Sequence, residues 1–342
     1  MSAAIQSAQS LQPAPLASDA PLAALLRAVA IAPLDDIGWL RVTGSDRLRW
    51  LNGMLTNSIA QLAPGEGCYN FALNAQGHIQ GDLTAFLLED SILLETSRDQ
   101  IATLLAHLNR FIIMDEVELA GITAQRCGLL VAGPDAASVL THLDLPAAPH
   151  DSLRLQSAVW KAAPLEIIHA HSPLVPRFEL WTDSATIAAL TAALLAAGAV
   201  PASPGALEQL RILEGTPRVG TDIRDKDLPQ ETGQSRALHF TKGCYLGQEI
   251  VERIHSRGGV HRAFSGFVLT GALPAPGAVL EAEGKPVAEL TSVASIHLPG
   301  QPAPMQLALG IIRREALDNA QAGNLTYPGG TATPIALPYA VP

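Results

Sequence analysis

Cysteine is scarce in this chain: Cys68, Cys127 and Cys244 are the three in 342 residues. Their odd number and wide separation argue against a disulfide framework and for a reducing compartment, so the expected location is cytoplasmic. There is no CxxC pair and no His/Cys cluster at zinc spacing, which argues against a structural zinc or a cysteine-ligated cluster. Positive charge is also in short supply. With 22 Lys+Arg against 32 Asp+Glu the net charge is −10, so neither nucleic acid nor an anionic membrane is an expected partner. Residues 1–20 are rich in Ala, Ser, Gln and Pro and contain no Lys or Arg, so they lack the charged start of a signal or transit peptide. They are expected to form a disordered leader. Long apolar runs are missing too. The nearest, residues 185–200, is short, dominated by alanine and stopped by Gly198 and Pro201, and is expected to be a core helix.

What remains is a globular composition, 48% hydrophobic and 16% charged, in a chain long enough for two or three cores. Hydrophobic periodicity predicts a strand at 37–42, followed by a helix capped at Gly44-Ser45-Asp46 and carrying Leu48, Leu51 and Leu55. Residues 68–73 and 79–88 alternate like two strands of a hairpin turned by Asn74-Ala75-Gln76-Gly77. A strand at 92–96 leads into a helix with Ile101, Leu104, Leu105, Leu108 and Ile112 on one face. Strand-like runs at 129–131, 166–168 and 178–181 then interleave with helices at 135–143 and 186–197, and another helix spans 206–213. This is an α+β pattern. The polar stretch 218–241 shows little periodicity, and long irregular segments in compact proteins are often functional. Beyond residue 262 short strands alternate with Pro/Gly turns, as in a small β-barrel or sandwich. The expected division is a leader at 1–20, an α+β region at 21–262 and a β domain at 263–342.

The most unusual segment is Lys242-Gly243-Cys244-Tyr245-Leu246-Gly247-Gln248-Glu249. Its cysteine lies beside a lysine and just before a helix expected at 246–255, and both would favour the thiolate. The bland alternative is a small buried hydrophobe. Residues 236–262 hold five Lys/Arg, two Glu and three His, a basic island that is either a solvated face or an anion site.

Three ordered motifs carry a family resemblance. Val42-Thr43-Gly44-Ser45-Asp46 with Thr56-Asn57, then Leu73-Asn74-Ala75-Gln76-Gly77 before Asp82, resembles the opening of the aminomethyltransferase (T-protein) superfamily. Leu213-Glu214-Gly215-Thr216-Pro217 through Asp222 to Pro229-Gln230-Glu231 is similar to its folate-contacting loop. The octapeptide at 242–249 resembles the signature of the YgfZ family of folate-binding proteins. The resemblance implies an aminomethyltransferase-like fold of subdomains around a central channel, with a C-terminal β-barrel. It implies tetrahydrofolate or a derivative as cofactor, and iron–sulfur client or assembly proteins as partners.

On that basis Cys244 and Asp82 are the candidate reactive residues. Glu231 would accept the paired N–H donors of a pterin, with Tyr69 and Asn70 lining the channel. Lys242, Arg253, Arg257 and Arg262 would meet the carboxylates of a folate tail, with Gln248 beside them. An ion pair with Glu249 is the alternative for Arg253. No metal ligands are expected. Three functions stay open: support of iron–sulfur enzyme assembly or repair with Cys244 as the working thiol, a folate-dependent aminomethyl- or methyltransferase or demethylase using Asp82, or a scaffold that binds protein partners and no small ligand.

Overall fold

The computed structural model describes residues 20–147, 153–319 and 325–341, so the expected leader lies outside them except for Ala20. The chain opens with α1 (Ala20–Arg27), β1 (Ala30–Pro33), β2 (Ile37–Thr43) and α2 (Arg47–Asn52). It continues with β3 (Gly67–Leu73), β4 (Ile79–Leu87), β5 (Ile92–Ser97), α3 (Ile101–Asn109) and β6 (Glu118–Gly121). Then come β7 (Cys127–Ala132), α4 (Ala136–His142), β8 (Arg154–Trp160), β9 (Ala163–His169), β10 (Arg177–Thr182), α5 (Ser184–Ala196), β11 (Val200–Pro201) and α6 (Pro204–Glu214). Helix α7 (Gln248–Arg257) precedes the barrel strands β12 (Arg262–Gly271), β13 (Val279–Ala282), β14 (Lys285–Ile296), β15 (Met305–Arg313), β16 (Leu325–Tyr327) and β17 (Gly330–Ile335). A short helix, α8 (Arg314–Asp318), sits between β15 and β16.

Two sheets and a barrel result. The first sheet has the order β3-β4-β5-β2-β6 and the second β11-β1-β7-β10-β9-β8, while β12-β15-β14-β13-β16-β17 close into a barrel. The sequence pattern left barrel and sandwich open, and the closed ring decides for the barrel. Among the described residues no helix is long and apolar enough to cross a membrane.

Strand alternation sorts the residues. In β4 and β5, Leu83, Ala85, Leu87, Ile92 and Leu94 pack under α2 and α3, and in β10 Phe178 and Leu180 pack under α4 and α5. The alternate residues face inward, where Trp39, Phe86, Leu93 and Trp181 form a shared core between the two sheets and the barrel. Trp39 meets Trp181 edge-on at 5.1 Å between ring centroids. Polar residues on those same inner faces become the walls of a cavity.

The segment between α6 and α7 contains only two single turns of 3-10 helix, Pro229–Glu231 and Ser235–Ala237. With so little regular structure its course depends on side chains. Asp222, 1% exposed, accepts from Arg211 Nη1 at 2.7 Å, Arg218 N at 2.9 Å and Ser292 Oγ at 2.7 Å, and also from the Thr291 hydroxyl. It thereby ties the segment to α6 and to the barrel. Further on, Arg262 donates from Nε to Glu231 Oε1 at 3.0 Å, and from Nη2 to Glu231 Oε2 at 2.8 Å and Asp227 Oδ1 at 3.0 Å.

Two expectations shift at element ends. Helix α7 starts at Gln248 rather than 246, because Gly247 adopts φ +81° and a Cβ there would lie 2.6 Å from the Asn74 carbonyl. Leu55 falls past the end of α2 and bridges to Ala72 instead. Replacing Asp222 with alanine removes the acceptor shared by Arg211, the Arg218 N–H and two buried hydroxyls, while Arg211 keeps its pair with Glu208, so the variant is expected to lose about 1.5–3 kcal/mol. A lower denaturant midpoint at unchanged slope is the measurement.

Candidate functional site

The inner face of the first sheet presents Tyr69 from β3 and Asp82 and Thr84 from β4 to a cavity of about 240 Å³. The Tyr69 hydroxyl donates to Asp82 Oδ2 at 2.7 Å, and Gln100 Nε2 donates to Asp82 Oδ1 at 2.7 Å. Gln100 Oε1 in turn accepts from the Asp82 backbone N–H at 3.1 Å. Gly81 makes this pairing possible: a Cβ there would sit 2.8 Å from Gln100 Oε1 and from Leu104. Burial, with Asp82 beside it, pushes the Tyr69 phenol well up, so it stays a donor.

The second sheet supplies the opposite wall. Glu179, 1% exposed, takes Arg177 Nη2 at 2.8 Å on Oε1 and Trp181 Nε1 at 3.2 Å on Oε2. Glu95 of β5 faces this pair and makes no hydrogen bond within the described residues. Burial, reinforced by Glu179, pushes its carboxyl well above the ordinary value. Burial likewise raises Glu214, which accepts from the Ser172 hydroxyl. His171 is pushed down to about 4 by burial, with Arg236 and Arg177 adding, and is therefore neutral.

Arg236 completes the site. Its guanidinium carbon lies 4.0 Å from the Tyr69 ring centroid, and Nε donates to Gln234 Oε1 at 3.1 Å. His171 and Arg236 line both this cavity and three adjoining spaces of about 840, 400 and 580 Å³. The Thr56-Asn57 pair fixes the local backbone. Asn57 Nδ2 donates to the Tyr69 carbonyl at 3.1 Å and to the Arg236 carbonyl at 2.8 Å. Thr56 Oγ1 donates to the Ala237 carbonyl at 2.6 Å and accepts from Phe71 N at 2.9 Å.

Of the residues expected at the site, Tyr69 and Asp82 meet there and the others do not. Asn70, adjacent to Tyr69 on β3, points to the opposite face, where its side chain bonds Asn57 N at 2.8 Å and the Cys68 carbonyl at 2.9 Å. Glu231 is 4% exposed and held by Arg262 and the Leu228 N–H, so the fork of donors it was expected to receive is an arginine of the chain itself. That same pair occupies Nε and Nη2 of Arg262, the donors expected to meet a folate tail. Lys242 directs its ammonium to the carbonyls of Asn52 at 2.7 Å, Leu55 at 2.8 Å and Asn57 at 2.5 Å. Burial pushes it down to about 8, but three acceptors around one nitrogen require three N–H donors and favour the charged form.

Gln248 bonds back to Tyr245 N at 3.3 Å as a local cap. Arg253 is exposed on α7, and among the described residues no ion pair joins it to Glu249. Arg257 ends α7, and its side chain lies outside the described residues. Cys244 is exposed, four residues before the start of α7, and lines none of the four spaces around His171 and Arg236. The lysine expected to favour its thiolate is occupied by the three carbonyls.

Two sheets and a barrel around a charged cavity define an aminomethyltransferase-like protein. The fold matches the glycine cleavage system aminomethyltransferase T of Bartonella henselae with a TM-score of 0.81 at 21% identity, covering 95% of this chain and 90% of that one. The GCVT N-terminal domain model matches residues 16–242, and the chain belongs to that family, as a YgfZ-type relative of the aminomethyltransferases. An aminomethyltransferase of Frankia alni is 30% identical over 78% of this chain and 74% of its own length. The tRNA-modifying protein YgfZ of Yersinia pseudotuberculosis is 28% identical over 78% and 79% respectively.

Glu95 makes stability depend on pH. Below its ordinary value of 4.5 it is protonated whether the chain is folded or not. As pH rises through that value the unfolded chain releases the proton and the folded one keeps it, so stability falls. Glu95→Gln is expected to flatten that fall and to raise the melting temperature more at about pH 8 than at about pH 5. Thermal unfolding of both proteins at the two pH values is the check.

Proposed function

We propose that the chain binds a reduced folate in the cavity between its two sheets and supports the assembly or repair of iron–sulfur enzymes through the exposed thiol of Cys244. The observation that carries the ligand assignment is the meeting of Tyr69, Asp82 and Arg236 with the unpartnered Glu95 carboxyl in one cavity between the sheets. A carboxylic acid that both donates and accepts fits the mixed donor–acceptor edge of a pterin, and the Tyr69, Asp82 and Arg236 group lies in the same space. A bound tetrahydrofolate supplies amine nitrogens that carry a one-carbon unit. Around it, Asp82 would orient an amine N–H and Tyr69 would hold Asp82 in place. Cys244 supports the assembly role through its exposure, since an accessible thiol on a loop fastened by Lys242 can meet a partner protein without opening the cavity.

A second function, folate-dependent aminomethyl transfer, is favoured by the placement of Asp82 in the cavity wall with both oxygens hydrogen-bonded. The two separate in a complementation assay that reads an iron–sulfur enzyme activity, run alongside calorimetry with tetrahydrofolate. Under the assembly role, Cys244→Ala abolishes complementation and leaves tetrahydrofolate affinity within about twofold, while Asp82→Asn changes complementation little. If only Asp82→Asn mattered, and it lowered turnover of a methylated amine about 10²–10³-fold, the transferase would replace it.

A further inference from the structure

We propose that Arg236 is the anchor for a ligand carboxylate, held over the Tyr69 ring beside Asp82; this deepens the folate assignment of the same cavity and rests on it.

The partners of the neighbouring arginines single it out. Arg126 faces Glu166, Arg177 faces Glu179, Arg211 faces Glu208 and Asp222, and Arg262 faces Asp227 and Glu231. Arg236 has no carboxylate within ion-pairing distance among the described residues, and its two terminal nitrogens have no acceptor there. Glu214 does not fill the role, because its carboxyl accepts from the Ser172 hydroxyl and forms no ion pair with Arg236. Burial also pushes the Arg236 guanidinium down from its usual value, the mark of a charge that the protein has not fully compensated.

The placement suits an anion. The planar guanidinium offers two parallel N–H groups that match a carboxylate, and its face is already stacked on Tyr69. The side-chain amide of Asn57 fixes both backbones at once, so the stack exists before any ligand arrives. Arg236 lines all four spaces, so a carboxylate seated in any of them lies near it. Two sources share this chemistry: the glutamyl tail of the folate itself, or a separate small amino acid bound next to the pterin.

Calorimetry on the full chain separates these with four probes. They are tetrahydrofolate; tetrahydrobiopterin, a reduced pterin with no carboxylate; p-aminobenzoylglutamate, which has carboxylates and no pterin; and glycine. Arg236→Gln is expected to weaken tetrahydrofolate about 10- to 100-fold while leaving tetrahydrobiopterin unchanged. Arg236→Lys, which keeps the charge without the fork, should fall between and guards against a misfolded first variant. Loss of p-aminobenzoylglutamate binding in Arg236→Gln assigns the anchor to the folate tail. Glycine binding to the wild type loaded with tetrahydrobiopterin, and not to Arg236→Gln, assigns it to a second small acid. Equal weakening of tetrahydrofolate and tetrahydrobiopterin, or indifference of both carboxylate probes to the substitution, overturns the proposal. Should neither pterin bind the wild type, the folate assignment fails, and the anchor then stands or falls on p-aminobenzoylglutamate and glycine alone.

Discussion

The buried carboxylate of Asp222 is the interaction on which the rest of this structure depends. It collects the Arg211 guanidinium from α6, a backbone N–H from its own segment and two barrel hydroxyls, so three parts of the chain meet on one charge. The segment between α6 and α7 has little regular structure of its own to hold it. Anchored at Asp222, and again where Arg262 meets Asp227 and Glu231, it runs back to the first sheet. There Lys242, Thr56 and Asn57 fasten its far end. The segment that presents Arg236 to Tyr69 is thus held at both ends, by Asp222 at one and by Thr56 and Asn57 at the other.

That arrangement explains how a core can contain so many ionisable groups. Glu179 and Arg177 pair, and burial raises Glu95 and Glu214 toward their neutral forms. His171 stays neutral and Tyr69 keeps its phenolic hydrogen. Most of the charge that burial would penalise is therefore paired or suppressed. Asp82 and Arg236 stand out because neither finds an opposite charge in direct contact: Asp82 is held by neutral donors and Arg236 by a ring face. Groups left in this condition in a cavity wall are poised toward a ligand rather than toward folding.

Much of the fold was legible in the sequence because it depends on local period and local turn chemistry. The hairpin of β3 and β4, the apolar face of α3 and the spaced short strands of the barrel each follow from neighbours in the chain. The site was legible only in part. Glu231 looked like a free loop acid because its partner, Arg262, is 31 residues away, and nothing local announces a pairing of that kind. Lys242 misled for the same reason, its three acceptors lying in a loop some 190 residues earlier. Other signals were present and went unused. Alternation along β3 already separates Tyr69 from Asn70. Glu95 follows Ile92, Leu93 and Leu94 in its strand, and Glu179 lies between Phe178 and Leu180, placements costly enough to suggest a purpose.

The octapeptide around Cys244 shows how one motif can serve two ends that its sequence merges. Lys242 points inward and fastens the loop after α2, while Cys244, two residues on, points outward to solvent. Tyr245 then turns inward again to pack with Tyr69, Phe71 and Val251. The thiol is thus held at the surface by the same short stretch that fixes Thr56 and Asn57, the residues that position Tyr69 and Arg236 within the cavity. Lys242 bonds the 52–57 loop, and Asn57 of that loop bonds the Tyr69 and Arg236 carbonyls. This is a contiguous chain of hydrogen bonds rather than a shared surface. Exposure of Cys244 therefore separates it from the ligand space, while Lys242, two residues earlier, bonds the loop that holds Tyr69 and Arg236.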